Sequence, residues 1–263
     1  MNQLFGVCNL ALVPMRAEAS DKSEMISQLL FGDHFEILSQ QEKWVHIRTG
    51  FDDYEGWIDH LQYAEIDMAG YLALHNLDTL LAPSISHLIT DLEANKQLNL
   101  LAGSNLPSFN PDKKIFKINN VKYKIESGYI KPAKRNFNKD ILAISKFYLN
   151  APYLWGGRSI FGIDCSGFSQ MVFKQFGIKL KRDACQQAEQ GVVITSLMET
   201  NPGDLAFFNN KDGKITHVGI LLNNHEIIHA SGFVKIDRID NEGIYNEQLK
   251  KYTHQLRIIK RYI

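Results

Sequence analysis

A chain of 263 residues with 29 Lys plus Arg and 29 Asp plus Glu has room for one large domain or two or three small ones and carries no formal net charge. Hydrophobic residues at 44% and charged residues at 22% are those of a globular chain, which excludes wholesale disorder. No apolar run approaches the ~18 residues that cross a bilayer, and a zero charge balance offers no cation excess for counterion release, so neither a membrane nor a nucleic acid is expected as partner.

The first residues, Met1 to Leu10, hold no basic residue and no small-residue cleavage pattern behind an apolar core, so no export signal is expected. The cysteines, Cys8, Cys165 and Cys185, are odd in number and too few to staple a chain of this length. Together these features point to the cytoplasm.

Residues 1–66 alternate in short stretches: His34 to Leu38 after Gly32-Asp33, Trp44 to Arg48, then Gly56-Trp57-Ile58 after Asp52-Asp53-Tyr54-Glu55. Close turns between short strands predict a small β-barrel. Residues 75–132 repeat the outline, with Val13-Pro14 echoed by Ala82-Pro83 and Gly56-Trp57-Ile58 by Gly128-Tyr129-Ile130. Between those anchors Ile115 to Ile118, Asn119-Asn120 and Val121 to Ile125 predict a hairpin. The second stretch reads as a divergent copy of the first.

From Asn138 to Ile263 the pattern becomes mixed. Ile141, Ile144, Phe147 and Tyr148 share a helical face, with Asn138 or Asp140 available as N-cap. Phe168, Met171, Val172 and Phe176 repeat the spacing, and Gly177 stands where a helix would stop. Strands are expected at Asp204 to Phe208, His217 to Leu222, Ile227 to Ala230, Val234 to Ile239 and Gln255 to Ile263. Helix followed by antiparallel sheet is an α+β domain.

Chemistry concentrates in this last domain. The run Tyr153-Leu154-Trp155-Gly156-Gly157-Arg158, followed by Gly162-Ile163-Asp164-Cys165-Ser166-Gly167-Phe168, places Cys165 at a loop-to-helix junction. Free N–H groups and the helix dipole there favour an anion, so a thiol pKa drawn down from about 8.5 is expected. The same N–H groups suit the oxyanion of an acyl-transfer intermediate. Cys8 and Cys185 lack this setting and read as structural.

A cysteine nucleophile needs a base, and His217 and His229 lie on consecutive predicted strands. A three-residue turn at Asn223, Asn224 and His225 sets Leu222 opposite Glu226 and makes the two imidazoles diagonal neighbours on one face. A two-residue turn at Asn223-Asn224 sends them to opposite faces. In the first register His217 takes the proton of Cys165 while His229 orients its ring. No His-Glu-x-x-His or Cys-x-x-Cys occurs, and neither a metal nor another cofactor is expected.

These residues carry a resemblance. Asp164-Cys165-Ser166-Gly167-Phe168 with His217-Val218-Gly219-Ile220 and His229-Ala230 resembles the NlpC-type papain-like cysteine peptidases over residues 138–263. The preceding stretches resemble bacterial SH3-like domains, whose last strand often begins Gly-aromatic-Ile. The resemblance implies a papain-like fold with the cysteine-bearing helix packed on an antiparallel sheet, behind two SH3-like barrels. It also implies Cys165 as nucleophile, His217 as base and His229 as orienter.

The whole layout is similar to the cytoplasmic γ-D-glutamyl-L-diamino-acid endopeptidases that trim free murein peptides during wall recycling. This implies a monomer whose substrate is a murein tri- or tetrapeptide with a free N-terminal L-Ala, cut before diaminopimelate or lysine. In such enzymes the first SH3-like domain closes one end of the cleft. A buried ammonium there needs carboxylates and acceptors, and motif likeness suggests Glu24, Tyr54 and Asp183, with Asp164 and Ser166 as further contacts beside the thiol. Asp183 equally suits a helix N-cap before the polar run to Gln190. Relatives often carry serine where this chain has Ala184, which puts one substrate contact in doubt. The competing readings are a secreted hydrolase of intact wall and a non-catalytic wall-binding protein.

Overall fold

The computed structural model describes residues 3–76, 80–82, 86–126, 128–129, 131 and 135–263, in two compact units, Met1–Lys134 and Arg135–Ile263. In the first, β1 (Leu4–Val7), β2 (Leu12–Arg16), β3 (Met25–Leu30), β4 (His34–Gln41), β5 (Trp44–Thr49), β6 (Glu55–Asp59) and β7 (Ala64–Ile66) form one seven-stranded sheet ordered β3-β2-β6-β5-β4-β1-β7. Its inner face is the alternating set Val13, Met15, Phe35, Ile37, Val45, Ile47 and Ile58, which bury together with Cys8.

Then follow α1 (Met68–Asn76), which periodicity did not suggest, β8 (Leu80–Leu81), β9 (Ser86–Asp91), β10 (Lys96–Leu101), β11 (Asn105–Leu106), β12 (Ile115–Ile118) and β13 (Val121–Ile125). They form a four-stranded sheet ordered β10-β9-β13-β12 and a β8–β11 ribbon. The β12–β13 hairpin turns at Asn119-Asn120 as expected, with Ile118 opposite Val121 and Asn119 in the left-handed region at φ 51. Phe31, after β3, sits 5.8 Å from the Phe116 ring and 5.3 Å from the Tyr123 ring, so both β regions share one core.

Gly56-Trp57-Ile58 lies in β6, but Gly128 and Tyr129 lie in irregular backbone, where Tyr129 meets Phe109 at 4.6 Å. The expected echo is therefore absent as a strand at those two positions; Pro83 and Ile130 lie outside the described residues.

The second unit opens with α2 (Phe137–Phe147), then β14 (Arg158–Ser159), β15 (Gly162–Ile163), α3 (Cys165–Lys174), α4 (Ala184–Ala188) and β16 (Val192–Ile194). The N-cap of α2 is Asn136, not Asn138 or Asp140, because its side-chain carbonyl accepts the Lys139 N–H at 3.1 Å and its backbone carbonyl accepts that of Asp140. The chain turns out of α3 with Gly177 at φ 76, its N–H returning to Lys174 O.

The sheet strands are β17 (Leu205–Asn209), β18 (Ile215–Leu221), β19 (Glu226–Ser231), β20 (Phe233–Ile239), β21 (Gly243–Asn246) and β22 (Lys251–Arg261). They run in that order, and β21 also pairs with β22, which closes a six-stranded barrel with β16 attached to β22. The sequence pattern anticipated five of these strands but not β21, whose Ile244 and Tyr245 are too short a run to show alternation. The last strand begins at Lys251 rather than Gln255, since β22 pairs with β21 before it reaches β17.

Candidate active site

All ten residues of α3 are buried, and Asp164 begins the helix in extended backbone with its carboxylate accepting the Gly167 N–H at 2.6 Å. The same carboxylate accepts the Gly156 N–H at 2.9 Å and a two-point contact from the guanidinium of Arg182, at 2.6 and 3.2 Å. Arg182 also donates to Ser166 Oγ at 3.0 Å and is 1% exposed. Asp164 and Ser166 are thus engaged inside the protein. Gly167 permits this closeness: a Cβ there would stand 2.3 Å from Gly157 O. Behind it Ser169 donates to Gln187 Oε1 at 2.8 Å, tying α3 to α4.

Cys165 is the first residue of α3 and 6% exposed, its thiol lying 3.9 Å from the Thr216 carbonyl on β18. The thiol pKa is not drawn down as the helix terminus suggested. Burial pushes it up to about 12, the Asp164 carboxylate adds to this, and the Val218 N–H and Arg182 oppose it only in part. Asp164, the cap itself, spends the positive helix end on a carboxylate. Alkylation of Cys165 by iodoacetamide is accordingly expected to rise about tenfold per pH unit from pH 6 to 9, since a raised pKa leaves little thiolate below it. Peptide mapping by mass would separate Cys165 from the exposed Cys185, and a rate already flat at pH 7 would show a preformed thiolate instead.

On the facing barrel, Leu222 N–H bonds to Glu226 O and Ile220 pairs with Ile228, which is the register of the three-residue turn. Gly219 then lies level with His229, and a Cβ on it would stand 2.9 Å from that of His229. The two imidazoles meet: His217 Nε2 is 2.8 Å from His229 Nδ1. Two groups that the sequence reading passed over complete the cluster. Asp237 Oδ2 on β20 lies 3.1 Å from His229 Nε2, and the His254 ring on β22 stacks on His217 at 4.1 Å. Asp237 is diagonal to His229 across β19–β20, a relation visible only once strands are paired, and His254 precedes the expected start of its strand.

Burial holds His217 well below the ordinary histidine range, helped by His229, His254 and Lys235. It also lowers His229, against the pull of Asp237, and brings His254 to about 4. Their three ring nitrogens lie within 4.8 Å of one another, a spacing that invites a metal. Here the 2.8 Å His217–His229 contact is a ring-to-ring hydrogen bond, which engages two of the nitrogens that a metal would need.

Asp183 is the N-cap of α4, with Gln186 Oε1 accepting its N–H at 3.1 Å. Glu24 and Tyr54 belong to the first unit, Glu24 exposed before β3 and Tyr54 partly buried against the β1–β7 core.

A thiol at a helix start beside two adjacent barrel strands whose imidazoles pair is the arrangement of a papain-like cysteine peptidase. Residues 150–257 match the NlpC/P60 family and residues 15–62 the bacterial dipeptidyl-peptidase SH3 domain. The chain is a cysteine peptidase that carries an NlpC/P60 domain behind an N-terminal bacterial dipeptidyl-peptidase SH3 domain.

It is 28% identical over 238 residues to the γ-D-glutamyl-L-lysine dipeptidyl-peptidase of Bacillus subtilis, covering 85% of this chain and 78% of that one. It is 23% identical over 260 residues to dipeptidyl-peptidase 6 of Lysinibacillus sphaericus, covering 89% and 91%. The fold matches that of an NlpC/P60 family protein from Bacillus cereus at a TM-score of 0.81 and 18% identity, over 98% of this chain and 99% of that chain.

Proposed function

We propose that this peptidase hydrolyses the γ-D-glutamyl-L-diamino acid bond of free murein tri- and tetrapeptides with an unblocked N-terminal L-Ala, as a cytoplasmic monomer in wall-peptide recycling. The observation that carries this reading is the Cys165 thiol at the carbonyl of Thr216, the residue before His217, whose ring bonds to His229, in a chain with long-range relatives named for the γ-D-glutamyl-L-lysine bond. Those names favour lysine as the diamino acid, and three unpaired cysteines suit a reducing compartment.

In this mechanism the Cys165 thiol, neutral at rest, gives its proton to His217 as sulfur attacks the D-glutamyl side-chain carbonyl carbon. The backbone N–H of Cys165, which the Asp164 cap does not take, donates to the oxyanion. Collapse breaks the C–N bond, and His217 returns the proton to the leaving α-amine of the diamino acid. Water, activated by His217, then cleaves the thioester to free L-Ala-D-Glu and the thiol.

Incubation with L-Ala-γ-D-Glu-L-Lys, its diaminopimelate analogue and their N-acetylated forms, followed by mass, tests the reading. Release of L-Ala-D-Glu is expected from the free-amine peptides at least about 100-fold faster than from the acetylated ones, the scale of leaving a buried charge site unpaired. Equal cutting would point to hydrolysis of intact wall.

A further inference from the structure

We infer that Asp237 is a positioning residue that selects the tautomer of both histidines and thereby leaves Nδ1 of His217 as the basic nitrogen. This rests on the reading of Cys165 and His217 as nucleophile and base. An ionised carboxylate only accepts, so the His229 Nε2 that lies 3.1 Å from Asp237 Oδ2 carries its ring proton. A neutral imidazole has one N–H, which makes His229 Nδ1 an acceptor. The His217 Nε2 at 2.8 Å from it must then donate. The remaining nitrogen of His217 has its lone pair free for the thiol proton. Burial keeps both rings neutral, which the argument requires.

The surroundings hold the carboxylate in its ionised form. Lys235 Nζ donates to the same oxygen at 3.2 Å and Asn246 Nδ2 approaches it at 3.5 Å. Burial works against ionisation, but His229 and Lys235 outweigh it and bring Asp237 below the ordinary carboxylate range. His254, a further titratable neighbour, has its ring 5.6 Å from that of His229. Without Asp237 the reversed arrangement, with protons on His229 Nδ1 and His217 Nδ1, satisfies the shared bond equally well and leaves no base.

The experiment is [15N]histidine NMR of the whole chain together with kinetics on L-Ala-γ-D-Glu-L-Lys. The wild type is expected to show Nε2–H tautomers at both His217 and His229. Asp237→Ala should introduce Nδ1–H forms and lower kcat about 10- to 100-fold with KM within about twofold, the usual effect of removing the partner that orients a functional histidine. Asp237→Asn, whose amide oxygen still accepts, should retain the tautomers and most of kcat. An Nδ1–H form of His229 in the wild type overturns the inference without any variant, as does Asp237→Ala with unchanged tautomers and kcat. Cys165→Ala separates the two levels: if it is inactive while Asp237→Ala is fully active, only the role of Asp237 fails, and if it remains active the nucleophile reading itself fails.

Discussion

Cys165→Ala is expected to lower kcat/KM on L-Ala-γ-D-Glu-L-Lys by at least about 10⁴-fold while KM stays within a few-fold. The scale is that of removing the nucleophile from a unit whose members act together, where the remaining oxyanion donors and binding contacts retain only a small part of the catalysis. Cys165 Sγ makes only weak contacts with backbone groups in the ground state, among them Thr216 O at 3.9 Å, so its loss leaves the surrounding network in place and Tm should move by only a few degrees. Non-additivity offers a further check. His217→Ala should cost nearly as much alone, and the double variant should be hardly worse than either, because each deletion already breaks the same proton transfer. Additive losses would show that Cys165 and His217 act in separate steps.

The second large effect falls on stability. Arg182→Ala is expected to destabilise the chain by about 3–5 kcal/mol in urea unfolding, the scale for removing one partner of a buried ion pair. The guanidinium is 1% exposed and meets both oxygens of Asp164, which is itself 5% exposed. Its removal strands a carboxylate that water cannot reach, although the Gly156 and Gly167 N–H groups remain. Arg182→Ala with Asp164→Asn should recover part of the loss, since a neutral amide removes the stranded charge, although its single oxygen can accept only one of those two N–H groups. A loss under 1 kcal/mol for Arg182→Ala would mean that solvent enters the α3 start. Activity should fall as well, because the same carboxylate caps the helix that presents Cys165.

Most of the strands, and the chemistry, were legible in the sequence for local reasons. Alternation marks β4, β5, β18, β19 and β20, because one face of each meets a core; Asn119-Asn120 marks a turn that needs positive φ. The loop-to-helix junction at Cys165 was legible too, and the structure adds Asp164 as its N-cap, a short carboxylate that reaches the Gly167 N–H. Local signals were weaker for α1 and β21, which are held by neighbours rather than by a periodic pattern of their own.

By itself the sequence determined the nucleophile candidate, its helix position, the two candidate histidines and the α+β class, all consequences of side-chain type at short range. Only the tertiary structure decided between the two hairpin registers, because Leu222 and Glu226 can face each other or slip by one without any change in composition. It also reversed the expected electrostatics of Cys165: a helix end lowers a thiol pKa only if the end is open, and here Asp164, the cap, occupies it while burial strips the thiol of water. Arg182, Asp237 and His254 entered the site in the same way, from elements distant in sequence. Their roles depend on which strands and turns close over one another, and desolvation is a property of that closure rather than of any segment.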